Sequence, residues 1–73
     1  MKYVGWIVIV PTEYMGIVNK KIHELDGLVT NLHLDGDIFT MGSSMPQHQE
    51  AFFEGWFAVA TKNTGRLTDR HEF

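Results

Sequence analysis

Seventy-three residues, 44% of them hydrophobic, with a net charge of −3 and no cysteine, describe one small globular domain. That composition excludes disulfides, thiolate metal sites and cysteine nucleophiles, and it fits a reducing, cytoplasmic setting. Residues 1–61 carry three lysines against seven carboxylates, so the body lacks the clustered basic surface that phosphate-backbone binding requires, and no nucleic-acid partner is expected.

The chain opens on its most apolar run, Gly5-Trp6-Ile7-Val8-Ile9-Val10-Pro11. β-branched and aromatic residues closed by a proline predict a strand from Tyr3 to Val10. The run is too short to span a bilayer and has no small-residue cleavage site after it, so neither a membrane association nor a signal peptide is expected. Tyr3, Ile7 and Ile9 fall on one face of the strand, and Val4, Trp6, Val8 and Val10 on the other. Both faces are apolar, which predicts a central strand covered on both sides.

Thr12 is a candidate N-cap for a helix over Glu13 to Leu25, where apolar residues recur at three- and four-residue spacing. Asp26-Gly27 closes it, with Gly27 expected in the left-handed conformation. Leu28 to Leu34 alternates with period two, Asp35-Gly36 is a two-residue hairpin turn, and Asp37 to Met41 returns as a second strand. Gly42-Ser43-Ser44 breaks the pattern, Ser44 caps a helix from Met45 to about Glu54, and Trp56 to Thr61 forms a last strand. A single helix from Met45 to Asn63 is the competing reading. Residues 62–73 are polar and turn-rich, which predicts a mobile tail beyond a domain of residues 1–61.

The resulting order, β-α-β-β-α-β, is that of a ferredoxin-like α+β sandwich, a small antiparallel sheet with helices on one face. That fold leaves the second sheet face open. The first and last expected strands are apolar on both sides, so the open face calls for a partner: a second copy of the chain or another protein. Trp6, Val8, Trp56 and Ala58 are the expected contact residues, with the hairpin residues Asn31, His33, Asp35 and Asp37 as a second surface.

No motif fixes a chemistry. His33, Asp35 and Asp37 sit two apart, but the turn breaks their alignment, and no metal is expected there. His48, Glu50 and Glu54 would place two carboxylates one turn apart without a nucleophile or an orienting group. Gly42-Ser43-Ser44 lacks the flanking residues of a phosphate loop, and no cofactor is expected. The expectation is therefore a non-enzymatic, homodimeric protein-binding module (an inhibitor, adaptor or regulatory subunit). The alternatives are a small-molecule-sensing domain with a ligand near Pro11-Thr12-Glu13 at a subunit interface, and a small enzyme using His48, Glu50 and Glu54.

Overall fold

Residues 1–73 are described by a computed structural model. Its elements run β1 (Tyr3–Pro11), a 3₁₀ turn (Thr12–Tyr14), α1 (Met15–Glu24), β2 (Leu28–Asp35), β3 (Ile38–Pro46), a second 3₁₀ turn (Gln47–Gln49), α2 (Glu50–Ala60) and β4 (Arg66–Glu72). The sheet order is β2-β3-β1-β4 and every pairing is antiparallel. This is the expected ferredoxin-like arrangement, built with different boundaries in its second half.

β1 is central, as its apolar run requires. Val4, Trp6, Val8 and Val10 are buried and lie opposite Met45, Ser43, Met41 and Phe39 of β3. Val18, Ile22 and Leu25 from the α1 region and Phe53 and Phe57 from α2 complete the core. Phe53 is its aromatic hub, with ring centroids 5.9 Å from Trp6, 5.9 Å from Trp56 and 5.6 Å from Phe57. Ser43 is the one polar residue in this row of β3, and its hydroxyl donates to the Trp6 carbonyl oxygen at 3.3 Å. Every buried side-chain nitrogen and oxygen has a hydrogen-bond partner.

Several expectations are corrected. Trp56 to Thr61 is not a strand: residues 50–60 are helical, closer to the competing single helix. The i, i+4 pair Phe53 and Phe57 docks on the sheet, and this tertiary burial overrides the β-like run of bulky residues. Met45 is not helical either, because β3 continues through Gly42-Ser43-Ser44 to Pro46, held between β1 and β2 by ladder hydrogen bonds. The supposed tail is the fourth strand: Leu67 packs on the core and β4 pairs along β1, so the domain extends beyond residue 61. Thr12 does not cap α1; its N–H and hydroxyl donate to the Asp37 and Gly36 carbonyls of the hairpin. The hairpin turn is Gly36-Asp37, one residue later than expected, with Asp35 opposite Ile38.

The two halves of the chain repeat one another. Each central strand ends in a proline of nearly the same backbone geometry, at Pro11 and Pro46, followed by a 3₁₀ turn and a helix. Each helix then ends in a Schellman motif. After α1 the N–H groups of Asp26 and Gly27 donate to His23 and Ile22; after α2 those of Lys62 and Asn63 donate to Val59 and Ala58. Asp26 and Lys62 take the left-handed position, so Gly27 is not the left-handed residue. Each edge strand carries a bulge, at Asn31 in β2 and at Asp69 in β4, both with positive φ.

Gly55 lies exposed within α2, and a Cβ there meets nothing within 4 Å. Gly55→Ala should therefore raise the unfolding free energy by about 0.5–1 kcal/mol, read from the urea midpoint at unchanged slope.

Candidate functional site

The face of the sheet turned away from the helices is organised in rows by the strand register. His33, Thr40, Ile9 and Arg66 lie in line across all four strands. The next row is Thr30, Gly42, Ile7 and Thr68, and the one after it Leu28, Ser44, Gly5 and His71. Asp35, Ile38 and Pro11 form the upper end; Pro46 and Tyr3 form the lower end, where the Phe73 N–H donates to the Tyr3 carbonyl at 2.9 Å. Tyr3, Leu28, Ile38 and Phe73 are exposed, and Ile7 and Ile9 are half-buried by their neighbours.

The expected contact residues are distributed differently. Trp6 and Val8 belong to the opposite face and are 5% and 0% exposed, covered by the helices. Trp56 and Ala58 are half-buried on α2 and belong to no strand. Trp6 is thus enclosed within one subunit, because α2 brings Phe53 over it, while Trp56 stays half-buried. The apolar residues that remain on the open sheet are Tyr3, Ile7, Ile9, Leu28, Ile38 and Phe73. All four hairpin residues, Asn31, His33, Asp35 and Asp37, are exposed, and His33 and Asp35 lie in the open-face rows.

Both edges of the sheet are interrupted. The bulges at Asn31 and Asp69 break the ladder that another strand would extend, and β4 carries Arg66, Asp69, Arg70 and Glu72 along its length. The face, rather than an edge, is the accessible docking geometry.

The middle of the open face is hollow. Gly5 and Gly42, on adjacent central strands, put no side chain into it, and a depression of about 380 Å³ lies over Gly42 and the neighbouring backbone of Trp6 and Ser43. The Phe73 ring overhangs Gly5, with the His71 ring set edge-on to it at 5.2 Å. Thr30 Oγ1 and Asn31 Nδ2 overhang Gly42 from the other side. The sequence carried a signal for this hollow: two glycines inside strands, which mark close approach by another group.

The residues of the catalytic alternative are otherwise engaged or apart. Arg70 of β4 holds Glu50 in a bidentate ion pair, with Nη2 at 2.9 Å from Oε1 and Nε on Oε2, and its Nη1 lies 2.9 Å from Glu72 Oε2. His48 and Glu54 are exposed. No group of three or more histidines, cysteines or carboxylates is arranged to hold a metal ion. On the outer side of α2, Phe52 is exposed, and Lys21 of α1 lies 5.3 Å from the Trp56 ring and 5.9 Å from that of Phe52.

The hydrogen bonds from Arg70 are the main cause that holds the Glu50 carboxyl below its ordinary range; partial burial opposes them and the Arg70 charge adds to them. A depressed carboxylate stabilises the fold above the unfolded-state value, near 4.3 for glutamate, and that contribution disappears as pH falls through the lower folded-state value. Glu50→Gln should therefore be less stable than the parent at neutral pH, and the gap should close as pH falls below about 4. Urea midpoints of both proteins across that range check the prediction. The same substitution should speed amide exchange in β4 before it does so in β3.

No protein-family model and no curated protein matches the sequence. In structure, the chain is similar to part of a crystal structure of a protein from Thermus thermophilus, with a TM-score of 0.75 and 14% sequence identity. The match covers 99% of this chain and 12% of that one, so the chain spans a small fraction of the protein it matches. At this identity the likeness establishes the fold alone. No helix is long and apolar enough to cross a membrane.

Proposed function

We propose that the protein is a non-enzymatic interaction module whose open sheet face packs against a second copy of itself. The observation that carries this reading is the pair Ile7 and Ile9 at the centre of a face that no layer of the chain covers, with Tyr3, Leu28, Ile38 and Phe73 around them. Interrupted edges favour face-to-face packing over strand addition. Four strands about 4.8 Å apart and nearly 30 Å long give a footprint of roughly 500 Å² per copy, about 1,000 Å² in total, the lower bound for a specific interface. A contact of that size corresponds to a reversible dimer rather than an obligate one.

Sedimentation equilibrium from about 5 to about 500 µM tests the reading. The mass should rise from 8.4 kDa toward twice that value. Ile9→Lys, placed on the open face and away from the core, should hold the monomer mass throughout with an unchanged circular dichroism spectrum. A parent chain that stays at 8.4 kDa at the top of the range, or a variant that still pairs, overturns it.

A further inference from the structure

The geometry points to a binding site for a small, uncharged, flat heteroaromatic compound in the hollow over Gly42, beside the Phe73 ring. The volume of about 380 Å³ lies within the ordinary range of small-molecule sites. The floor of the hollow is backbone: Gly42 has no side chain, and the side chains of Trp6 and Ser43, which also line it, are buried on the opposite face of the sheet. A Cβ on Gly5 would stand 3.1 Å from the Phe73 ring, and one on Gly42 would stand 2.8 Å from Thr30 Oγ1, so the glycines let these two groups close down on the sheet as the walls of the hollow.

The rim supplies both a ring and hydrogen-bonding groups. Phe73, with His71 edge-on to it, bounds one end. Thr30 and Asn31 bound the other, and Ser44 lies between them. None of the side chains of Thr30, Asn31, Ser44 and His71 makes a hydrogen bond within the chain, so their donors and acceptors are free for a ligand edge. The bulge places Asn31 at a φ of 52°, and its amide nitrogen comes within 3.8 Å of where a Gly42 Cβ would be. No lysine, arginine or carboxylate side chain lines the hollow, which selects against a charged compound.

The site goes beyond the proposed pairing and stands without it. Ile9, the position chosen to break the pair, lies outside the hollow. Amide resonances of the ¹⁵N-labelled chain are followed during titration with adenine, nicotinamide and, as a charged ring, benzoate, each to about 10 mM. Adenine or nicotinamide should shift Asn31, Gly42, Ser44 and His71 selectively in Ile9→Lys, and in the parent to the extent that pairing leaves the face open, and benzoate should bind more weakly. Asn31→Gly keeps the positive φ and removes the amide, so it should weaken binding about fivefold. Ser44→Phe should fill the hollow and abolish binding. The proposal is overturned if neither neutral ring shifts these amides, if benzoate binds as well, or if Asn31→Gly binds unchanged. A monomeric mass alongside intact ring binding overturns the pairing and leaves this site standing.

Discussion

Phe53→Ala should remove about half of the folding stability. Phe53 is fully buried and touches rings on both sides of the core, Trp6 from the sheet and Trp56 and Phe57 from its own helix. Truncating such a residue costs about 3–5 kcal/mol, the transfer term plus the cavity left behind. A chain of this length has roughly 4–11 kcal/mol in total. The melting temperature should fall by about 20 °C, at 4–8 °C per kcal/mol for a domain of this size. The neighbouring Phe52→Ala is the internal control: that ring is 56% exposed, and its loss should move stability by less than about 0.5 kcal/mol. Equal costs at the two positions would mean that α2 is rotated relative to the face assigned here.

The second large effect is expected at Gly27, where α1 hands over to β2. Its φ is not in the left-handed region, so the requirement is for space rather than for backbone freedom. A Cβ would lie 2.5 Å from the Ser44 carbonyl oxygen and 2.9 Å from that of Ile22. Both are backbone atoms, and the second accepts the Gly27 N–H at 2.8 Å in the Schellman motif. Gly27→Ala must therefore move β3, or open the end of α1, at a cost of about 3 kcal/mol. Paired urea melts of Gly27→Ala and Gly55→Ala should show opposite signs for the same chemical change. If both stabilise, the close approach of Gly27 to β3 is wrong.

The first half of the chain was legible because its signals are local and strong. The β-branched run at Tyr3–Pro11, the helical spacing after it and the Asp-Gly turn each point to one conformation. The second half was not, for reasons that lie in tertiary contact. Gly42-Ser43-Ser44 has the composition of a loop, yet a strand flanked on both sides keeps its ladder regardless of side chain. Trp56-Phe57-Ala58-Val59-Ala60 suits a strand or a helix, and the docking of Phe53 and Phe57 decides between them. β4 has one side chain packed against the core, Leu67, among charged neighbours, which is how a shielded edge strand reads and also how a tail reads.

The candidate site was legible only in part. That β1 is apolar on both faces was visible, but periodicity does not say which face the helices take. The tryptophan drew attention to the wrong one: the helices cover Trp6, and the isoleucines are left outside. The hollow was hidden because its floor is made of residues from different strands. Gly5 and Gly42 become diagonal neighbours only through the register that places Ile7 opposite Gly42.

Neither of the two βαβ halves contains a hydrogen-bonded strand pair of its own. β1 lies between β3 and β4, and β3 lies between β2 and β1, so each half is threaded through the other. Neither half can therefore persist as a folded fragment, and the amides of β1 and β3 should exchange through one common global opening instead of by separate melting of each half. Pairings so distant along the chain also set a slow clock, with refolding on the millisecond scale or longer rather than in microseconds.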